Sequence, residues 1–111
     1  MSMEMALCEA VDDRRRDERE VFGKITRALE EVSASAAGDP AREAALHGNF
    51  MLWSVLQENL CMEDNQLPET LKQQLIGLAS WVEGYTAKLR DGVGSIGALI
   101  SVNNAIMEGL V

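Results

Sequence analysis

A chain of 111 residues has room for one ordinary domain and not for two. Its 47% apolar and 25% charged residues are the balance of a globular chain, and two prolines among abundant Ala, Leu, Glu, Met and Gln favour helix over strand. Nearly all of the formal net charge of −8 falls in residues 30 to 69, where eight acids meet one base, Arg42, so a broad contact with nucleic-acid phosphates is excluded; such a field suits a basic partner, or simply keeps an apolar protein in solution.

The opening MSMEMALCEA is weakly patterned and reads either as a frayed end or as a docking arm over residues 1–11. Asp12 to Glu20 follows, five acids and four arginines, with Asp12 and Arg16, Arg14 and Glu18, and Arg16 and Glu20 spaced four apart as on one solvated helical face. Val21, Ile25, Ala28, Leu29, Val32 and Ala36 then repeat at three- and four-residue steps, so a first amphipathic helix is expected over about 12–37. Gly38-Asp39-Pro40 ends it, with Asp39 placed to cap a second helix and Pro40 at that helix's first position.

The second helix is expected over 40–62. Leu46, Phe50, Trp53, Leu56, Leu60 and Cys61 form its main stripe, while Met51, Leu52, Val55 and Met62 fall on the opposite half. A surface helix is not usually apolar over so much of its circumference. Either this helix runs through the centre of the bundle, or one of its faces awaits a partner. After the polar link Glu63 to Gln66, a third helix over 68–91 presents Leu71, Leu75, Leu78, Val82, Tyr85 and Leu89, with Ile76 and Trp81 at or beyond the edge of that face. Ser95 is placed to cap a last helix over 95–110 that carries Ile96, Leu99, Ile100, Ile106, Met107 and Leu110. Four helices joined by short links make one all-α domain, an antiparallel bundle.

No stretch reaches the roughly 20 apolar residues of a membrane span, and the start has no basic leader. Cys8 and Cys61 stand far apart in no paired motif. The expectation is a soluble protein of the reducing cytoplasm.

Chemistry-bearing patterns are few. Gly92-Val93-Gly94-Ser95-Ile96-Gly97 fits the glycine spacing of a dinucleotide loop, but it follows a helix instead of a strand, and only 14 residues remain after it. A helix stop at Gly92 and a turn through Gly94 and Ser95 account for the spacing. His47, the lone histidine, and two scattered cysteines give no zinc set, and no serine sits on a nucleophile turn. No cofactor, metal or catalytic site is expected. Asn103 projects from the middle of the last helix's apolar stripe, and Asn49 stands at the margin of the second's. A buried amide left unpaired costs roughly 1–3 kcal/mol, so Asn103 either bonds a neighbouring helix and fixes register or reads a partner's backbone at a groove. Met51, Val55, Met62 and Trp53 read either as core or as an adaptable apolar contact surface.

Several strings resemble the FlaF family of flagellar biosynthesis proteins of alphaproteobacteria. LISVNNAIMEGL, residues 99–110, is similar to that family's closing signature at Leu99, Ile100, Asn103, Ile106, Met107, Gly109 and Leu110. Residues 67–86 match at Leu67, Pro68, Leu71, Leu78, Trp81, Val82 and Thr86; Asn49 with Leu52-Trp53 resembles an N-x-x-L-W string, and VFGKITRALE the first-helix pattern. The opening lacks the family's usual tyrosine, and Asn104 stands where a basic residue is common. The resemblance implies a role in flagellin synthesis or export, with flagellin as ligand, or regulation through FlbT without a direct hold on flagellin. Joined to the residue reading, it gives a non-enzymatic flagellin adaptor whose candidate contact set is Asn49, Met51, Trp53, Val55, Trp81 and Asn103. A homodimer through the apolar excess is the further alternative.

Overall fold

The computed structural model describes residues 19–62 and 67–109, and they form four helices with no strand among them. The described part of α1 covers 19–31; α2 runs Pro40–Cys61, α3 Glu69–Arg90 and α4 Ile96–Gly109. The arm at 1–11, the charge pairs of residues 12–18, Cys8 and Leu110 lie outside the described residues.

Contacts at matching ends set the directions. Arg42 near the start of α2 meets the Leu89 carbonyl near the end of α3, and Glu43 pairs with Arg90 at 3.5 Å, so these two helices are antiparallel. Phe22 of α1 packs edge-on to Trp53 of α2 at 5.9 Å, and Gly23 lies beside Met107 near the end of α4. Asn49 and Trp53 of α2 bond Asn103 of α4. Successive helices therefore alternate in direction, and α2 touches the other three from its inner half. This is the expected antiparallel bundle.

The boundaries follow local chemistry. Asp39 accepts from the Ala41 amide at 3.4 Å and Pro40 opens α2, as the sequence indicates. Ser95 accepts from the Gly97 amide at 3.1 Å and caps α4. α1 stops at residue 31, six short of expectation. There the Val32 and Ser33 amides turn back three residues, to Leu29 and Glu30, and the Ser33 hydroxyl also donates to the Glu30 carbonyl. Serines that bond nearby backbone compete with helix continuation.

The core comprises Phe22, Leu29, Val32, Ala45, Leu46, Trp53, Ala79, Val82, Leu89, Ile96 and Leu99. On α1 the stripe is rotated from the expected one: Phe22 and Thr26 are buried, while Val21 is exposed; Ala36 is exposed beyond the helix end. Adjacent residues differ by about 100° around a helix, and Phe22, the larger of the apolar pair Val21-Phe22, takes the inward place. Cys61 and Leu71 are exposed as well, because the end of α2 and the first turn of α3 lie together at one end of the bundle. Buried Thr26 and Thr86 satisfy their hydroxyls on the Phe22 and Val82 carbonyls, each at 2.6 Å.

Candidate functional site

The six candidate contact residues divide into an inner and an outer set. Asn49, Trp53 and Asn103 are sealed inside, at 0%, 2% and 0% exposure. The Trp53 indole donates to Asn103 Oδ1 at 2.9 Å, and Asn103 Nδ2 donates to Asn49 Oδ1 at 2.7 Å. Of the two readings of Asn103, the bond between helices is the one the structure adopts. All three lie inside the bundle, where low dielectric strengthens each hydrogen bond that the chain makes.

One donor of that chain, Asn49 Nδ2, has no partner. Neither do Nε and Nη1 of Arg42, a guanidinium only 5% exposed that donates from Nη2 to the Leu89 carbonyl at 2.9 Å. Sequence reasoning counted Arg42 as the one base in an acidic stretch. What draws it inward is the last turn of α3, where the Leu89 carbonyl, which also accepts from the Gly92 amide, has a second lone pair and the helix dipole favours a cation.

The outer set is Met51, Val55 and Trp81, at 47%, 51% and 41% exposure. Met62, just past the end of α2, is exposed as well, and Leu52 is half-buried against the core. The reading that sends α2 through the bundle centre with these methionines covered is thereby overturned; α2 keeps an apolar face outside. Trp81 stacks on Tyr85 with ring centroids 4.7 Å apart and planes 15° from parallel. Tyr85 in turn donates to the Ser95 carbonyl at 3.1 Å and accepts from the Ser95 amide at 2.8 Å, which holds the exposed indole on a fixed ring.

The glycine-rich segment is a turn. α3 ends at Arg90, Gly92 and Gly94 take φ of +80° and +95°, and the Gly92 and Val93 amides bond back to the Leu89 and Lys88 carbonyls. Among the described residues no group of His, Cys, Asp and Glu is placed to hold a metal ion, and no helix is long and apolar enough to cross a membrane. What this geometry offers is apolar side chains on a rigid helical frame, suited to holding another chain.

The sequence matches the family model for the flagellar protein FlaF over residues 5–110, and the chain belongs to that family. No curated protein and no solved structure matches it.

Proposed function

We propose that this FlaF-family chain is a non-enzymatic cytoplasmic adaptor that binds flagellin and supports its synthesis and export. Membership of a flagellar protein family supports the reading. The observation that supports a binding role is the exposure of Met51, Val55 and Trp81 on helices that bury other faces in the core. Met51 and Val55 stand one turn apart on α2, and large apolar side chains exposed together are the usual mark of a protein contact. Methionine suits a client that docks and leaves, because its flexible thioether repacks against different shapes. An unfolded flagellin end that folds into a helix on docking would lose conformational entropy, which keeps affinity moderate and release easy.

The test is capture by the purified chain of flagellin, FlbT and flagellin messenger RNA offered separately. Flagellin retained, and retained less by Val55→Asp with helical content unchanged, is the expected result. Retention of FlbT alone would overturn direct binding and leave regulation through that partner. Unfolding of Val55→Asp would show that Val55 is core.

A further inference from the structure

The exposed face of α2 has a regularity beyond being apolar. Ala44, Gly48, Met51, Val55, Glu58 and Met62 follow one another in alternating steps of four and three residues. At 100° per residue they fall within an arc of about 80°, opposite the line of Arg42, Asn49, Trp53 and Leu60 that faces the core. Alternating four-three spacing is that of a coiled-coil seam. Met51, Val55 and Met62 are about half exposed, Ala44 and Glu58 are exposed, and a Cβ on Gly48 would meet nothing within 4 Å. The helical part of the seam, Ala44 to Glu58, spans about 21 Å, and Met62 follows at the cap of α2.

Glu58 decides what fits. It occupies a seam position between Val55 and Met62 and makes no ion pair among the described residues. A charged residue at such a position selects the partner that places the opposite charge across from it. α2 offers no Lys or Arg to a second copy, because its only one, Arg42, is buried. Two copies packed parallel would set Glu58 against Glu58, and packed antiparallel with the seam fully overlapped would set each Glu58 across from Gly48, with no Lys or Arg to meet it. Three half-exposed side chains also fall short of the about 800 Å² per partner of a standard stable interface.

From this we infer that the α2 seam takes a short amphipathic helix of another protein, apolar at the same alternating steps and bearing Lys or Arg at the position facing Glu58. The inference deepens the proposed adaptor role by giving the chemistry of the docked segment, and rests on that reading for the segment's source.

The experiment uses the full chain and two synthetic amphipathic helices of about 18 residues, with leucines at the seam positions and either lysine or glutamate facing Glu58. In low salt the lysine peptide should bind about tenfold more tightly, and lose that margin as salt rises. Glu58→Lys should invert the preference, and Val55→Asp should abolish binding of both peptides with its circular dichroism unchanged. Equal binding of the two peptides, binding of neither, or binding that survives Val55→Asp overturns the seam. So does a concentration-dependent dimer that Val55→Asp dissolves, since a second copy would then occupy it. Flagellin captured equally by wild type, Glu58→Lys and Val55→Asp likewise overturns the seam, though not the client. Charge-dependent binding of the lysine peptide without flagellin capture supports the seam and removes flagellin as its occupant.

Discussion

The Trp53 indole donates a 2.9 Å hydrogen bond to Asn103 Oδ1, joining α2 to α4 across 50 positions of sequence, and Asn103 passes the connection to Asn49. Truncating Asn103 to Ala strands the indole N–H and Asn49 Oδ1 in a sealed interior, where each unpaired group costs about 1–3 kcal/mol. Asn103→Ala should lower the unfolding free energy by about 2–4 kcal/mol, seen as a lower urea midpoint at unchanged slope. The double variant Asn49→Ala/Asn103→Ala should cost less than the sum of its parts, because the second truncation removes a group already orphaned. A loss under about 0.5 kcal/mol in Asn103→Ala would mean that apolar packing alone holds α4.

That chain shows where sequence reading reaches its limit. An amide amid Leu99, Ile100, Ile106 and Met107 announces that it needs partners, but not which, since Asn49 and Trp53 come alongside only when α2 and α4 pack together. Asp39-Pro40 and Gly92 to Ser95 were legible because caps and positive φ are decided within a few residues. The phase of α1 was not, because Val21 and Phe22 are both apolar and period alone does not choose between neighbours. Helix two's second apolar face was visible in its composition. Whether another helix covered it depended on how α1, α3 and α4 gather around the other side.

Arg42 gives a second prediction. Its buried guanidinium makes one hydrogen bond, to the Leu89 carbonyl, and leaves Nε and Nη1 without partners. Burial of a cation with incomplete partners is expensive, and apolar replacements of similar volume are often neutral or stabilising. Arg42→Met should stay within about 1 kcal/mol of the wild type or exceed it. Arg42→Ala, which also removes the packed stem, should lose about 2 kcal/mol. Chemical denaturation of the pair separates charge from packing; equal losses would assign the effect to the bond with α3.

The turn between α3 and α4 gives a third. Gly92 and Gly94 both hold positive φ, yet a Cβ on Gly92 would come only to 3.9 Å from Ala37, whereas one on Gly94 would stand 2.6 Å from Tyr85 Oη. That hydroxyl cannot easily retreat, being bonded twice to Ser95, with its ring stacked on Trp81. Gly92→Ala should therefore cost about 1–2 kcal/mol, the backbone strain alone, and Gly94→Ala distinctly more. In a Tyr85→Ala background the Gly94→Ala cost should fall to that of Gly92→Ala. Thermal unfolding of the set checks the ranking, and an unchanged Gly94→Ala cost in that background would place the strain in the backbone and not in the tyrosine.

The two tryptophans should behave as opposites. Trp53 is 2% exposed, packs edge-on against Phe22 and carries the bond to α4, while Trp81 is 41% exposed and touches the fold through its stack on Tyr85. Trp53→Ala opens a cavity in the core and strands part of the amide chain, so a loss of about 3–5 kcal/mol is expected, close to the whole stability of a small domain. Trp81→Ala forgoes one aromatic stack, about 0.5–1.5 kcal/mol, and should leave the bundle folded. If Trp81 belongs to the client surface, Trp81→Ala lowers flagellin capture at unchanged circular dichroism. Trp53→Ala lowers it only in step with the fraction unfolded. Capture and denaturation measured on the same preparations decide between the two. Full capture by a folded Trp81→Ala variant would confine the surface to α2.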